Sequence, residues 1–139
     1  MPYPKARNVL LWLMSIAYLV AGILHMLMPK PFLAITPNWV PWPQQVIFFT
    51  GLCEIAGAIG LHIPYFRRSA ALGLALYAVC VFPANINHAF GTLPDEAVHL
   101  GWLYHAPRLA IQPVLVWLAL FAGGVIDWPF RRARVDAAR

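Results

Sequence analysis

The chain has 139 residues, of which 61% are hydrophobic and only 11% are charged, and its formal net charge is +5. Soluble domains are usually about 25% charged and about 45–50% apolar, so this composition excludes an ordinary soluble domain. It predicts an all-α integral membrane protein that forms one transmembrane domain over residues 1–139. Because the basic residues lie at the ends of apolar segments, we interpret them as topology signals and not as a nucleic-acid-binding surface.

The first predicted membrane span covers residues 9–27, close to the ~20 residues that a helix needs to cross the hydrocarbon core. One face of this helix carries small and polar residues at helical spacings, namely Ser15, Tyr18, Gly22 and His25. Residues 29–43 hold five prolines together with Phe32, Trp39 and Trp42. Tryptophan prefers the headgroup region, so we expect an interfacial loop or short helix that covers one end of the bundle.

The second predicted span covers residues 44–63 and carries Glu54 near its middle. Insertion of an acidic residue at that depth costs about 2.5–3.5 kcal/mol, so we expect Glu54 to face the protein interior. Gly51, Gly57 and Ala58 lie on the same face, and small residues there allow close helix packing.

The third predicted span covers residues 69–90, with a kink expected at Pro83. Tyr77, Val81, Asn85 and His88 share one face of it. An acidic loop with Asp95 and Glu96 follows over residues 91–101.

The fourth predicted span covers residues 107–126, with Pro107 expected at the first helical position. Arg108 and Gln112 are four residues apart and therefore neighbours, and Pro113 is expected to bend the helix beside Gln112. A basic tail occupies residues 127–139.

The distribution of charge predicts the orientation. One predicted side holds eight basic residues: Lys5, Arg7, Arg67, Arg68, Arg131, Arg132, Arg134 and Arg139. The other side holds only Lys30 among basic residues, together with the acidic loop. The positive-inside rule therefore predicts that both termini are cytoplasmic.

In this topology all four spans place costly polar groups in the outer half of the bundle, which predicts a polar pocket. Glu54 and Arg108 are the expected charge pair, and Glu54 and His88 are the candidate catalytic groups. The candidate ligand-binding set is His25, Glu54, Asn85, His88, Arg108 and Gln112. Three structural alternatives stay open: the two histidines reach lipid headgroups, the charge pair is a structural bridge, and Asn85 only joins helices.

Other chemistries are less favoured. The histidines lack the spacing of zinc ligands, so no metal site is expected. A haem between His25 and His88 is geometrically conceivable in a bundle, but we do not favour it. Cys53 and Cys80 lie at similar expected depths, and we interpret them as small hydrophobic residues. We interpret Tyr18 and Tyr77 as packing residues.

The order of short motifs resembles the DoxX-like family of small four-span membrane proteins. The motifs are Gly22-x-x-His25, Ile35-x-Pro37, Trp39-Val40-Pro41, Thr50-Gly51-x-x-Glu54-x-x-Gly57, Val81-Phe82-Pro83-Ala84-Asn85-x-x-His88 and Arg108-x-x-x-Gln112. The resemblance implies a membrane component of redox or sulfur-linked systems that contacts quinone. This chain lacks paired redox cysteines, which argues against a self-contained thiol oxidoreductase.

We therefore expect a multi-pass inner-membrane protein that acts as a quinone-associated or redox-complex subunit, with a redox partner protein or homo-oligomerisation. Two alternatives stay open: a non-enzymatic scaffold or assembly factor, and a small lipid-modifying or isomerase-type enzyme that uses Glu54 as its acid or base.

Overall fold

The computed structural model describes residues 3–91 and 101–128, and these residues form helices with no strand among them. In chain order the helices are α1 (Tyr3–Leu27), α2 (Lys30–Ile35), α3 (Pro43–Gly60), α4 (Arg67–Phe90) and α5 (Trp102–Ala122). The all-α prediction is confirmed, and α2 is the short helix expected in the Pro/Trp-rich segment. Most of the predicted acidic loop and most of the basic tail lie outside the described residues.

The helix boundaries differ from the predicted spans at the helix starts and at two ends, since α3 ends at Gly60 and α5 at Ala122, three and four residues before the predicted ends. α1 begins at Tyr3 and α5 at Trp102, because hydropathy marks the apolar stretch and not the first helical turn. Pro107 is therefore inside α5 and not at its first position. Its ring removes the hydrogen bond to the carbonyl four residues earlier, and a helix tolerates that loss near its beginning.

The four long helices pack as a closed ring of neighbours: α1 on α3, α3 on α4, α4 on α5 and α5 on α1. Neighbours run antiparallel, as the α3–α4 pair illustrates. Gly57 lies against Leu74, whereas Gly60 lies against Ala70. Residue numbers therefore rise along α3 while they fall along α4, as in an up-down-up-down bundle with short connections.

The end of the bundle that holds the start of α1 is closely packed. Its core consists of Leu11, Met14, Leu61, Ala71, Leu74, Ala75, Ala119 and Ala122. A Cβ built on Gly123 would overlap the Ala71 Cβ, so α4 and the C-terminal end of α5 approach closely here. Arg7 bridges α1 to the segment after α5 through an ion pair of 2.7 Å with Asp127.

The outer surface of the bundle is apolar, and its interior is rich in small residues. Leu13, Ile16, Leu76, Val79 and Ile111 are exposed, an arrangement that suits helices surrounded by lipid. Three helices, α1, α4 and α5, are long and apolar enough to cross a membrane by length and composition. α3 is shorter, with 18 residues, and carries Glu54.

Candidate functional site

Two glycines bring α1 and α3 into backbone contact in the half of the bundle away from Arg7. A Cβ built on Gly22 would lie 2.6 Å from the Gly51 carbonyl oxygen and 2.8 Å from Ile55. A Cβ on Gly51 would lie 2.8 Å from the Gly22 carbonyl oxygen and 2.9 Å from the His25 Cβ. A Cβ built on Gly22 would also lie 3.2 Å from the Glu54 Cβ, so Glu54 lies against Gly22 just as His25 lies against Gly51. The antiparallel crossing at the two glycines therefore brings the His25 and Glu54 side chains together.

The resulting contact joins His25 Nδ1 to Glu54 Oε2 at 2.6 Å. Both residues are buried, with exposed fractions of 9% for His25 and 3% for Glu54. The Phe32 ring of α2 covers the imidazole, with 3.9 Å between ring centroids. A carboxylate this deep needs a hydrogen-bonded partner. The His25 imidazole is that partner, and imidazole is also a group that can exchange a proton.

A second contact joins α4 to α5. The Asn85 amide donates to Gln112 Oε1 at 3.0 Å, and Gln112 Nε2 donates to the Ala78 carbonyl at 2.7 Å. Pro83 lies inside α4 and removes the N–H that would bond the Val79 carbonyl. Gln112 therefore binds α4 one residue from the interrupted ladder, and both amides are buried.

A third contact joins Arg108 Nη1 to His88 Nδ1 at 2.6 Å. A guanidinium only donates hydrogen bonds, so His88 Nδ1 must accept in this contact. The Arg108 guanidinium also lies 5.7 Å from the centroid of the Tyr104 ring. His88 thus holds the arginine in place from the side of α4.

The expected direct pair between Glu54 and Arg108 is wrong in detail. Glu54 pairs with His25, and Arg108 pairs with His88. The reason is geometric, since the Gly22–Gly51 crossing supplies Glu54 with a closer partner on α1. Both charged residues nevertheless line the same cavity.

That cavity has a volume of about 510 Å³ and lies between the helices at the α2 end of the bundle. Five of the six candidate binding residues line it, whereas His88 does not line it and contacts Arg108 from behind. The α2 segment contributes Phe32, Ile35 and Trp39, and the rest is mainly aliphatic. The five candidate residues that line it are His25, Glu54, Asn85, Arg108 and Gln112, and Tyr18, Thr36, Thr50 and Tyr77 add hydroxyl groups to the lining.

Three neighbours of this site were not among the candidate binding residues: Tyr18 and Tyr77, expected from the sequence to be packing residues, and His105. Tyr18 and Tyr77 line the cavity close to Glu54, with 6.2 Å between their ring centroids. Tyr18 precedes His25 by seven residues and Tyr77 precedes Asn85 by eight, so each tyrosine shares a helix face with a polar residue. That spacing was the signal in the sequence that could have placed them at the site. His105 is buried, and its ring centroid is 4.8 Å from that of His88. It was missed because the predicted helix began after it.

We expect Gln112→Leu to lower the free energy of unfolding by about 1–3 kcal/mol, because it leaves the buried Asn85 amide without its acceptor and removes the bond from Gln112 to the Ala78 carbonyl. Chemical denaturation in detergent micelles, followed by circular dichroism, measures this loss. Gln45→Leu is the matched control, since Gln45 is exposed at the start of α3. Equal stability of Gln112→Leu and the parent would contradict the role given to this network.

Comparison with known proteins identifies a family. Residues 14–122 match the family described as Domain of unknown function (DUF8561), and because this match covers most of the chain, the chain belongs to that family. No curated protein and no solved structure matches the chain. The matched range begins within α1 and ends with α5, so it includes every candidate binding residue.

Proposed function

We propose that this member of the DUF8561 family is a four-span inner-membrane protein that binds the polar ring of a quinone, as a subunit of a redox complex. One observation carries the proposal. A cavity of about 510 Å³, within the usual range for small-molecule sites, combines a mainly aliphatic lining with the His25–Glu54 pair and Arg108. A lipophilic molecule with a carbonyl-bearing ring has the matching chemistry.

The proposed topology adds α3 as a fourth span. Its 18 residues extend about 27 Å, close to the ~30 Å of hydrocarbon. The described basic residues Lys5, Arg7, Arg67 and Arg68 lie at one end of the bundle, which we assign to the cytoplasm together with both termini. The cavity then opens in the outer half, with α2 and Trp39 at the interface.

The residues divide the recognition of a quinone ring between them. Arg108 is the cationic donor for one ring carbonyl, positioned by His88. The His25–Glu54 pair is the proton-exchanging group on the opposite helices. Electron transfer falls to a redox partner protein, and the order of motifs that resembles the DoxX-like family supports this division.

A second candidate function is a membrane scaffold or assembly factor. The observation that favours it is that Asn85, Gln112 and the Ala78 carbonyl satisfy one another without a ligand. In that case the polar groups fix helix packing, and the cavity holds only lipid.

Binding of decylubiquinone to the protein in lipid nanodiscs separates the two functions. We expect the ligand to raise the thermal unfolding temperature, with a gain of about 2.7 kcal/mol at one hundred times its dissociation constant. Arg108→Met should weaken the affinity about 10–100-fold, because a hydrogen bond to a charged group contributes about 1.5–3 kcal/mol.

Arg68→Met is the matched control, since Arg68 is exposed at the opposite end of the bundle. It should bind decylubiquinone like the parent. A parent protein that gains no stability from the ligand, or an Arg108→Met variant with parental affinity, would favour the scaffold.

A further inference from the structure

A second, lipid-facing groove of about 720 Å³ runs between α3 and α4. It extends from the level of Cys53 and Cys80 towards the basic end of the bundle. Small residues open it on both helices, and its rim is formed by exposed apolar side chains such as Ile59 and Leu76. The small residues are Ala56, Gly57, Gly60, Ser69, Ala70 and Gly73.

The groove adjoins the cavity that holds Glu54. Tyr77 and Cys80 of α4 line both spaces. Their side chains therefore separate the cavity from the groove. The antiparallel register, in which Gly57 faces Leu74, brings Cys53 to the same level on α3. A molecule with its polar end beside Glu54 therefore reaches the groove by passing Tyr77 and Cys80.

The direction of the groove suits an amphipathic lipid. The polar groups lie at the α2 end, whereas the groove continues from Cys80 to Ser69, about 16 Å along α4 at 1.5 Å per residue. In the proposed topology this path leads from about the bilayer centre towards the cytoplasmic interface. An acyl or isoprenoid chain whose polar ring is held in the outer half of the bundle would lie along it.

We propose that the α3–α4 groove holds the apolar tail of the ligand whose ring occupies the cavity, and that the ligand enters sideways from the bilayer past Tyr77 and Cys80. This inference rests on the proposed function, and it specifies the ligand as a ring with a long hydrocarbon tail. The shared lining residues and the absence of charged side chains among the groove residues support a tail as the occupant.

Gly73→Leu is the sharpest test, because a Cβ built on Gly73 meets no atom within 4 Å and the residue lines the groove. The leucine fills the space of about two methylene groups, so affinity for decylubiquinone should fall about tenfold. Affinity for duroquinone, a ring without a tail, should stay unchanged. Ala110→Leu on α5, exposed and outside both spaces, is the matched control.

Each outcome of these binding measurements supports or overturns a stated claim. If the parent binds neither quinone, the proposed function fails and this inference fails with it. If the parent binds decylubiquinone and Gly73→Leu does not weaken that binding, only the inference is overturned. If Gly73→Leu instead disperses an oligomer in nanodiscs without changing the affinity for the tailed ligand, the groove is an interface with a second copy.

The two native thiols give an independent readout. Cys53 lines only the groove, whereas Cys80 lines both spaces. Decylubiquinone should slow the modification of both thiols by N-ethylmaleimide, and duroquinone should slow that of Cys80 alone. Intact-protein mass spectrometry of Cys53→Ser and Cys80→Ser, each with one thiol, measures the rates. Equal protection of Cys53 by both ligands, or none by either, would overturn the assignment.

Discussion

Glu54→Ala is expected to lower the free energy of unfolding by about 3–5 kcal/mol, the usual loss when one partner of a buried pair is removed. The His25 imidazole would then be buried at 9% exposure without its carboxylate partner at 2.6 Å. The cavity left by the side chain adds to the loss. Denaturation in detergent micelles, compared with the parent under identical conditions, measures the change.

A double replacement shows whether His25 and Glu54 act as a coupled pair or contribute to stability independently. His25→Leu combined with Glu54→Leu removes both polar groups, and such replacements of a buried pair are often neutral or stabilising by about 1–4 kcal/mol. We therefore expect the double variant to be more stable than Glu54→Ala while losing quinone affinity. If its loss of stability equals or exceeds the sum of the two single losses, the two side chains do not act as a coupled pair.

Gly51→Ala is expected to separate α1 from α3 and to cost about 1–3 kcal/mol, the usual penalty for overpacking. Its Cβ would lie 2.8 Å from the Gly22 carbonyl oxygen and 2.9 Å from the His25 Cβ. Neither atom belongs to the end of a flexible side chain, so the helices must move. That movement also lengthens the contact between His25 and Glu54, and quinone affinity should fall with stability.

Gly73→Ala is the matched control for this substitution. An added Cβ there meets no atom within 4 Å, and alanine in a helix interior is favoured over glycine by about 1 kcal/mol. We expect Gly73→Ala to be as stable as the parent or slightly more stable. Thermal unfolding of both variants in the same detergent decides, and parental stability of Gly51→Ala would show that α1 and α3 do not need the glycine.

Much of the fold was predictable because apolar stretches and prolines are local signals. The predicted end of α1 at Leu27 agrees with the structure, because Pro29 and Pro31 follow it. The start of α5 at Trp102 was not predicted. Pro107 resembles a helix start in sequence, but the turns before it are also helical. Nothing local distinguishes a proline at the first position from one inside a helix that tolerates the missing bond.

The candidate site was predictable as a set but not as pairs. Periodicity assigned His25 and Glu54 to the interior faces of their helices, because polar groups are costly in an apolar environment. Their partnership depends on where two helix axes cross, and that point is fixed by the contact of Gly22 with Gly51. As long as the crossing point was unknown, opposite charge favoured Arg108 as the partner of Glu54. In the structure Arg108 contacts His88 instead.

Composition and periodicity thus suffice for the helical class, the number of long helices and the inward direction of the polar residues, since these depend on local hydrophobicity. The packing of whole helices decides the pairing of His25 with Glu54, the 510 Å³ cavity and its adjoining groove. Those features arise from distances of a few ångströms between residues far apart in the chain, which no local pattern specifies.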